Sequence, residues 1–160
     1  MRVVLLILVL FIGFSSMPSA QNIPVNDSFT SPLKPPFFFS GDFGELRTSH
    51  FHSGLDYRTQ GRTGLPVYAV KDGYISRIGI SPTGYGNALY MNHPDGTTSV
   101  YGHLERFHSR LQEYVKDKQY DRESFQINII LSSGEFHFKK GEIIAWSGNS
   151  GSSGDRKSVV

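Results

Sequence analysis

Short apolar stretches broken by glycine, proline and asparagine recur at intervals of roughly ten residues over much of the chain, the spacing of strands joined by turns. Residues 66–70, 74–80, 88–92 and 97–103 read as strands. Lys71-Asp-Gly73 reads as a tight turn of hairpin type, residues 81–87 as a loop, and His93-Pro-Asp-Gly96 as a turn with proline in second place. The period then changes: between residues 105 and 122, Phe107, Leu111, Tyr114 and Val115 recur at helical spacing among charged positions, which predicts one amphipathic helix. Strand patterns resume at 125–131, at 136–138, expected to pair back on the preceding strand, and at 143–146, which enters the glycine- and serine-rich loop 147–154. The pattern predicts a mainly β, antiparallel, barrel- or sandwich-like sheet with one inserted helix. No internal repeat is evident.

The two ends depart from this pattern. Residues 1–20 combine a basic start at Arg2, an apolar run and small residues up to Ala20, the three parts of a secretory signal, and the run is well short of the ~20 residues that a membrane-spanning helix needs. Residues 21–36, with Pro24, Pro32, Pro35 and Pro36 among polar residues, can continue neither a helix nor a central strand and read as an exported linker. The folded domain is expected over residues 37–154, with Phe37, Phe38 and Phe39 as core at its start, and residues 155–160 as a tail.

The 17 glycines, 12 phenylalanines and 8 tyrosines reinforce the β reading. Absence of cysteine excludes disulfides, thiolate metal sites and a cysteine nucleophile, so any metal must sit on His, Asp or Glu. A formal charge of +2 without a Lys/Arg run or basic-aromatic interleaving argues against nucleic-acid binding.

Candidate chemistry concentrates in His50-Phe-His-Ser-Gly-Leu-Asp56. His52 and Asp56 suit a zinc site built from nitrogen and oxygen. In a continuous strand their Cα atoms would lie roughly 13 Å apart, at the limit of shared reach, so a bend is expected at Gly54. Two surface polar residues are the bland alternative. His103, in Tyr101-Gly-His-Leu104, is a second candidate, beside a glycine that would let a substrate backbone approach; a hydrogen-bonded structural histidine is the alternative there. His50 reads as a third ligand, a partner orienting His52, or a bystander. His93 and His108 read as solvated, and His137 as facing solvent from a sheet.

Phe43-Gly-Glu-Leu-Arg-Thr-Ser-His-Phe-His-Ser-Gly-Leu-Asp56, Gly64-Leu-Pro-Val-Tyr-Ala69, Asp72-Gly73, Gly84-Tyr-Gly-Asn87, Tyr101-Gly-His-Leu104 and Gly141-Glu-Ile-Ile-Ala-Trp-Ser-Gly-Asn-Ser-Gly151 follow one another in that order. Together they resemble the lysostaphin-type (LytM-like) zinc metalloendopeptidases of bacterial cell walls, over nearly the whole chain after the leader. The resemblance implies that His52 and Asp56 are zinc ligands and that His103 is a catalytic histidine. It implies an exported, periplasmic or extracellular, wall-associated protein that hydrolyses peptides of peptidoglycan, in a groove walled by residues 81–87 and 105–133. In that family the remaining zinc ligand and a second catalytic histidine come from a His-x-His motif after the Ser-Gly-Asn-Ser-Gly loop.

Here Asp155-Arg-Lys-Ser-Val-Val160 stands in that place, and its codons can be written as the start of a sequencing adapter. The expectation is therefore a non-native tail on a peptidase domain cut before its last motif. With two zinc ligands in place of three, zinc is expected to bind weakly, hydrolysis to be slight or absent, and a sheet edge to lie open. A non-catalytic peptidoglycan-binding or amidase-activating module of the same fold is the competing reading; such members usually lose the first His and Asp, both present here. A phosphocarrier domain with a similar sheet conflicts with the export signal.

Overall fold

The computed structural model describes residues 28–36, 38–47, 51–152 and 157–158. The signal and His50 lie outside them. The central element is β4 (Gly73–Ile80), antiparallel to β5 (Ala88–Asn92) on one edge and to β8 (Ile127–Ile130) and the short β9 (His137–Phe138) on the other. β6 (Thr98–Tyr101) continues the sheet beyond β5. Strict alternation would send Ile75 and Ile78 to opposite faces, yet both are fully buried, as the β4–β5 register shifts between Ile75 and Arg77. This bulge resets the phase, so Ile75, Ile78 and Ile80 face the core and Arg77 and Gly79 the outside.

A second sheet orders β3 (Pro66–Tyr68), β10 (Ile143–Ser147) and β7 (Leu104–Phe107). A third pairs β1 (Phe38–Gly41) with β2 (Asp56–Arg58), and β11 (Lys157–Ser158) lies on the other edge of β2 opposite Arg58 and Tyr57. The sheets are separate and antiparallel, and no closed barrel forms among the described residues. Val67, Leu89, Met91, Leu104, Leu111, Val115 and Ile144 join the β4 isoleucines in one core, each fully buried and contributing on the order of 1.5–3 kcal/mol.

Several sequence expectations need correction. The helix α1 spans Ser109–Asp121, because residues 104–107 form β7 against β10. Phe107 therefore belongs to the sheet, and Leu111 and Val115 form the buried stripe of α1. Lys71-Asp-Gly73 is no hairpin turn: β3 and β4 belong to different sheets, and the chain crosses between them there. Residues 137–138 pair with Gly73 and Tyr74 of β4, not with β8.

Phe38 and Phe39 are about half exposed, at 53% and 45%, so they are not core. His93 is buried, its Nδ1 2.8 Å from the Asp72 carbonyl and its Nε2 2.9 Å from Ser99 Oγ, because the 93–96 turn folds inward over Gly73. His108 occupies the N-cap position of α1 without a side-chain cap hydrogen bond, and its Nδ1 is buried, so the residue is half-buried instead of solvated on a helix face. His137 is exposed, as expected. The described part of the stretch read as a linker packs on the domain: Leu33 is buried, Thr30 N–H donates to the Val70 carbonyl, and Tyr68 N–H donates to the Pro32 carbonyl. Among the described residues no helix is long and apolar enough to cross a membrane.

Candidate active site

His52 and Asp56 meet as the sequence predicts, and for the predicted reason. The chain bends at Gly54, between the isolated bridge Leu46–Phe51 and β2, and the bend brings His52 Nε2 to 3.3 Å from Asp56 Oδ1. The His52 backbone is held on both sides, its N–H donating to the Glu45 carbonyl at 2.8 Å and its carbonyl accepting from Gly44 N–H at 2.7 Å. The imidazole is held too, its Nδ1 lying 3.0 Å from the Asp42 carbonyl. A carbonyl only accepts, so Nδ1 donates to it, and in the tautomer with its single proton on Nδ1 the ring presents the Nε2 lone pair toward Asp56.

Two acceptors facing each other repel unless a cation lies between them. At 3.3 Å the pair is too long for a charge-assisted hydrogen bond, which closes to about 2.7–2.9 Å. Donors bound to one tetrahedral zinc at about 2.0–2.2 Å stand about 3.3–3.5 Å apart. The donor types and their separation therefore fit a zinc ion. Both side chains are mostly buried, at 11% and 18% exposure, yet reachable.

The other Asp56 oxygen is held by Arg47, whose guanidinium also lies 3.5 Å from Glu45. The hydrogen bond to Asp56 raises the Arg47 pKa above its ordinary value. Gly41 makes this possible, since a Cβ there would stand 2.6 Å from Arg47 Nη2 and 2.7 Å from Asp56 Oδ2. Sequence reasoning missed Arg47 as a partner of Asp56, although it lies inside the first motif; a lone arginine nine residues from a carboxylate carries no periodic signal. Among the described residues no third His, Asp or Glu, His103 included, joins the pair in a metal-holding cluster.

His103 sits between β6 and β7 with a φ of +55°, a conformation rare for a residue with a side chain. Two neighbouring loops, 81–87 and the one that contains Ser150, hold it. His103 N–H donates to the Tyr85 carbonyl at 2.7 Å, Leu104 N–H to the Asn87 carbonyl at 3.0 Å, and Ser150 Oγ to the Leu104 carbonyl at 2.8 Å. Gly86 and Gly151 touch, so that a Cβ on either would lie about 2.4 Å from the other loop. His103 Nδ1 lies 2.8 Å from the Ser150 carbonyl and so donates to it, which in the tautomer with its single proton on Nδ1 leaves the Nε2 lone pair available. One correction concerns Gly102: a Cβ there would stand 3.0 Å from the Tyr85 ring, so its smallness accommodates Tyr85 and not a substrate backbone.

Residues 50–120 match the family described as Peptidase family M23. The DD-carboxypeptidase/endopeptidase Mpg of Neisseria meningitidis serogroup B is 40% identical over 62 residues, covering 39% of this chain and 14% of that protein. The chain thus matches only a small part of that relative's length. The catalytic domain of the prophage-encoded M23 protein EnpA from Enterococcus faecalis, in a point-mutant form, superposes with a TM-score of 0.57 at 24% identity, over 82% of this chain and 83% of that one. The catalytic domain of lysostaphin from Staphylococcus simulans does so with a TM-score of 0.51 at 24% identity, over 76% and 74%. These two likenesses speak for the fold, which is the one the ordered motifs predict. Residues 50–120 are thus similar to peptidase family M23, and the fold of the chain is similar to that of two M23-type catalytic domains.

Proposed function

We propose that this domain is a zinc-dependent endopeptidase acting on peptides of peptidoglycan in an exported, wall-facing setting. The observation that carries the reading is the His52–Asp56 pair, two oriented acceptors held 3.3 Å apart with their outer atoms tied to the Asp42 carbonyl and Arg47. The Neisseria relative is named a DD-carboxypeptidase/endopeptidase, which supports the reaction class.

His52 Nε2 and Asp56 Oδ1 would hold the ion. When bound, zinc would act as a Lewis acid on a scissile carbonyl and lower the pKa of water from 15.7 to about 7. His103 Nε2, aimed by the Nδ1–Ser150 hydrogen bond, would take the proton of the attacking water and, once protonated, would donate to the developing oxyanion. The left-handed backbone at His103 is held by two loops that together fix the ring's direction, which suits general-base chemistry. With His52 and Asp56 the donors brought together among the described residues, weak zinc binding and slow hydrolysis of peptidoglycan are the expected outcome.

Calorimetric titration with zinc, beside digestion of purified peptidoglycan, tests both parts. Weak zinc binding lost in His52→Ala and in Asp56→Asn is expected. Zinc binding untouched by either substitution overturns the site. Rapid zinc-dependent cleavage that needs His52 overturns the low-activity expectation alone.

A further inference from the structure

On the outer face of the β6-β5-β4-β8 sheet lies a cavity of about 580 Å³, within the size range of ligand clefts. Its floor follows from the β4 bulge, which turns Arg77 and Gly79 outward. Gly79 pairs with Ala88 on one side and Asn128 on the other, so the middle of the sheet carries only short side chains, and a Cβ on Gly79 would meet no atom within 4 Å. The walls come from the loop after β4 and the segment before β8, the two segments expected to flank a groove. Tyr85 lines the cavity and lies 6.3 Å from the His103 ring, centroid to centroid, so the cleft runs toward the candidate active site.

Arg77 is fixed across this cleft. Its guanidinium lies 4.7 Å over the Tyr90 ring, and its Nε donates to Asn128 Oδ1 at 2.7 Å. Those two contacts occupy one face and one N–H of the planar group and leave the Nη1/Nη2 edge, the edge that grips a carboxylate with two parallel hydrogen bonds. No Asp or Glu lines the cavity, and no carboxylate pairs with Arg77 among the described residues. The remaining polar lining is neutral, from groups such as Ser81, Thr83 and Gln126. One clamped guanidinium without a second cation suits a single carboxylate better than a phosphate dianion.

We propose that Arg77 is a specificity-determining residue that reads a free carboxylate on the peptide lying in this cleft, with Gly79 as the floor that admits it. The proposal rests on the peptidoglycan-peptide reading above, and its test is independent of zinc. Binding of a synthetic peptidoglycan stem peptide with free carboxylates, and of the same peptide with its carboxylates amidated, is measured by NMR titration of the full chain with a chelator present.

The carboxylate form is expected to bind at least about tenfold more tightly than the amide. Arg77→Gln should bring that ratio near one, while Gly79→Val should weaken both peptides about tenfold or more. Gly79 has no positive φ and an open Cβ position, so valine fits the strand, and thermal melting verifies that both variants fold. Equal binding of the two peptides to the unaltered chain, binding of neither, or a preference that survives Arg77→Gln overturns the proposal. Failure here alongside zinc-dependent cleavage sinks the Arg77 assignment alone. Carboxylate-selective binding without zinc binding or cleavage sinks the reaction class and leaves the assignment standing.

Discussion

Gly41→Ala separates the candidate metal site from the stability of the fold. The added Cβ would stand 2.6 Å from Arg47 Nη2, 2.7 Å from Asp56 Oδ2 and 3.0 Å from Glu45 Oε2, against an ordinary contact that begins at 3.4 Å. Arg47 and Asp56 must therefore retreat by about 0.7–0.8 Å, several times the ~0.2 Å tolerance of a metal–donor distance. All three atoms are ends of flexible side chains, so the retreat is mechanically easy and should cost the fold less than about 1 kcal/mol. The donor pair should suffer more. Displacing the partner that orients a ligating carboxylate weakens metal binding by about 10–100-fold, or about 1.4–2.7 kcal/mol. Zinc titration by calorimetry, with thermal melting of the zinc-free protein, reads the two effects separately. A folded Gly41→Ala protein with undiminished zinc affinity would refute the role given to the Arg47–Asp56 contact, and loss of the fold would refute the claim that the crowded atoms yield easily.

Other expected outcomes concern the scaffold around the sites. Gly148→Ala should destabilise by about 3 kcal/mol in urea denaturation, because its Cβ would fall 2.3 Å from Glu105 N and 2.7 Å from the Leu104 carbonyl carbon, backbone atoms of a paired strand that cannot step aside. Tyr101→Phe should cost about 1–3 kcal/mol by the same measurement, since the buried hydroxyl accepts from Val70 N–H at 3.0 Å and from Ser99 Oγ at 3.1 Å. Asp95 is held below the ordinary carboxylate range by hydrogen bonds from the buried Lys71 and then from Thr97. Its contribution is present above the unfolded pKa of about 3.9 and is lost as pH falls through the lower folded value. Asp95→Asn should therefore lower the urea midpoint near pH 6, and the gap from the unaltered protein should narrow as the pH drops below about 4.

Much of this protein was legible in one dimension. Strand and helix periods marked residues 88–92 and 74–80 as strands and Leu111 and Val115 as a buried stripe, because local side-chain alternation is set by backbone geometry alone. The bend at Gly54 and the meeting of His52 with Asp56 were also legible, since four residues are too few for anything but local geometry to join their side chains.

Tertiary structure alone decided which strands pair, and so sent residues 71–73 between sheets instead of into a hairpin. It also set the environments that depend on distant chain. His93 is buried by hydrogen bonds to Asp72 and Ser99, Phe38 and Phe39 lie outside the core, Gly102 is filled by Tyr85, and His103 takes its strained backbone from loops whose contacts lie up to 47 residues away. Polarity and period report the half-turn of chain around a residue. The partner that satisfies a polar atom, or occupies the space beside a glycine, comes from wherever the sheets bring the chain together.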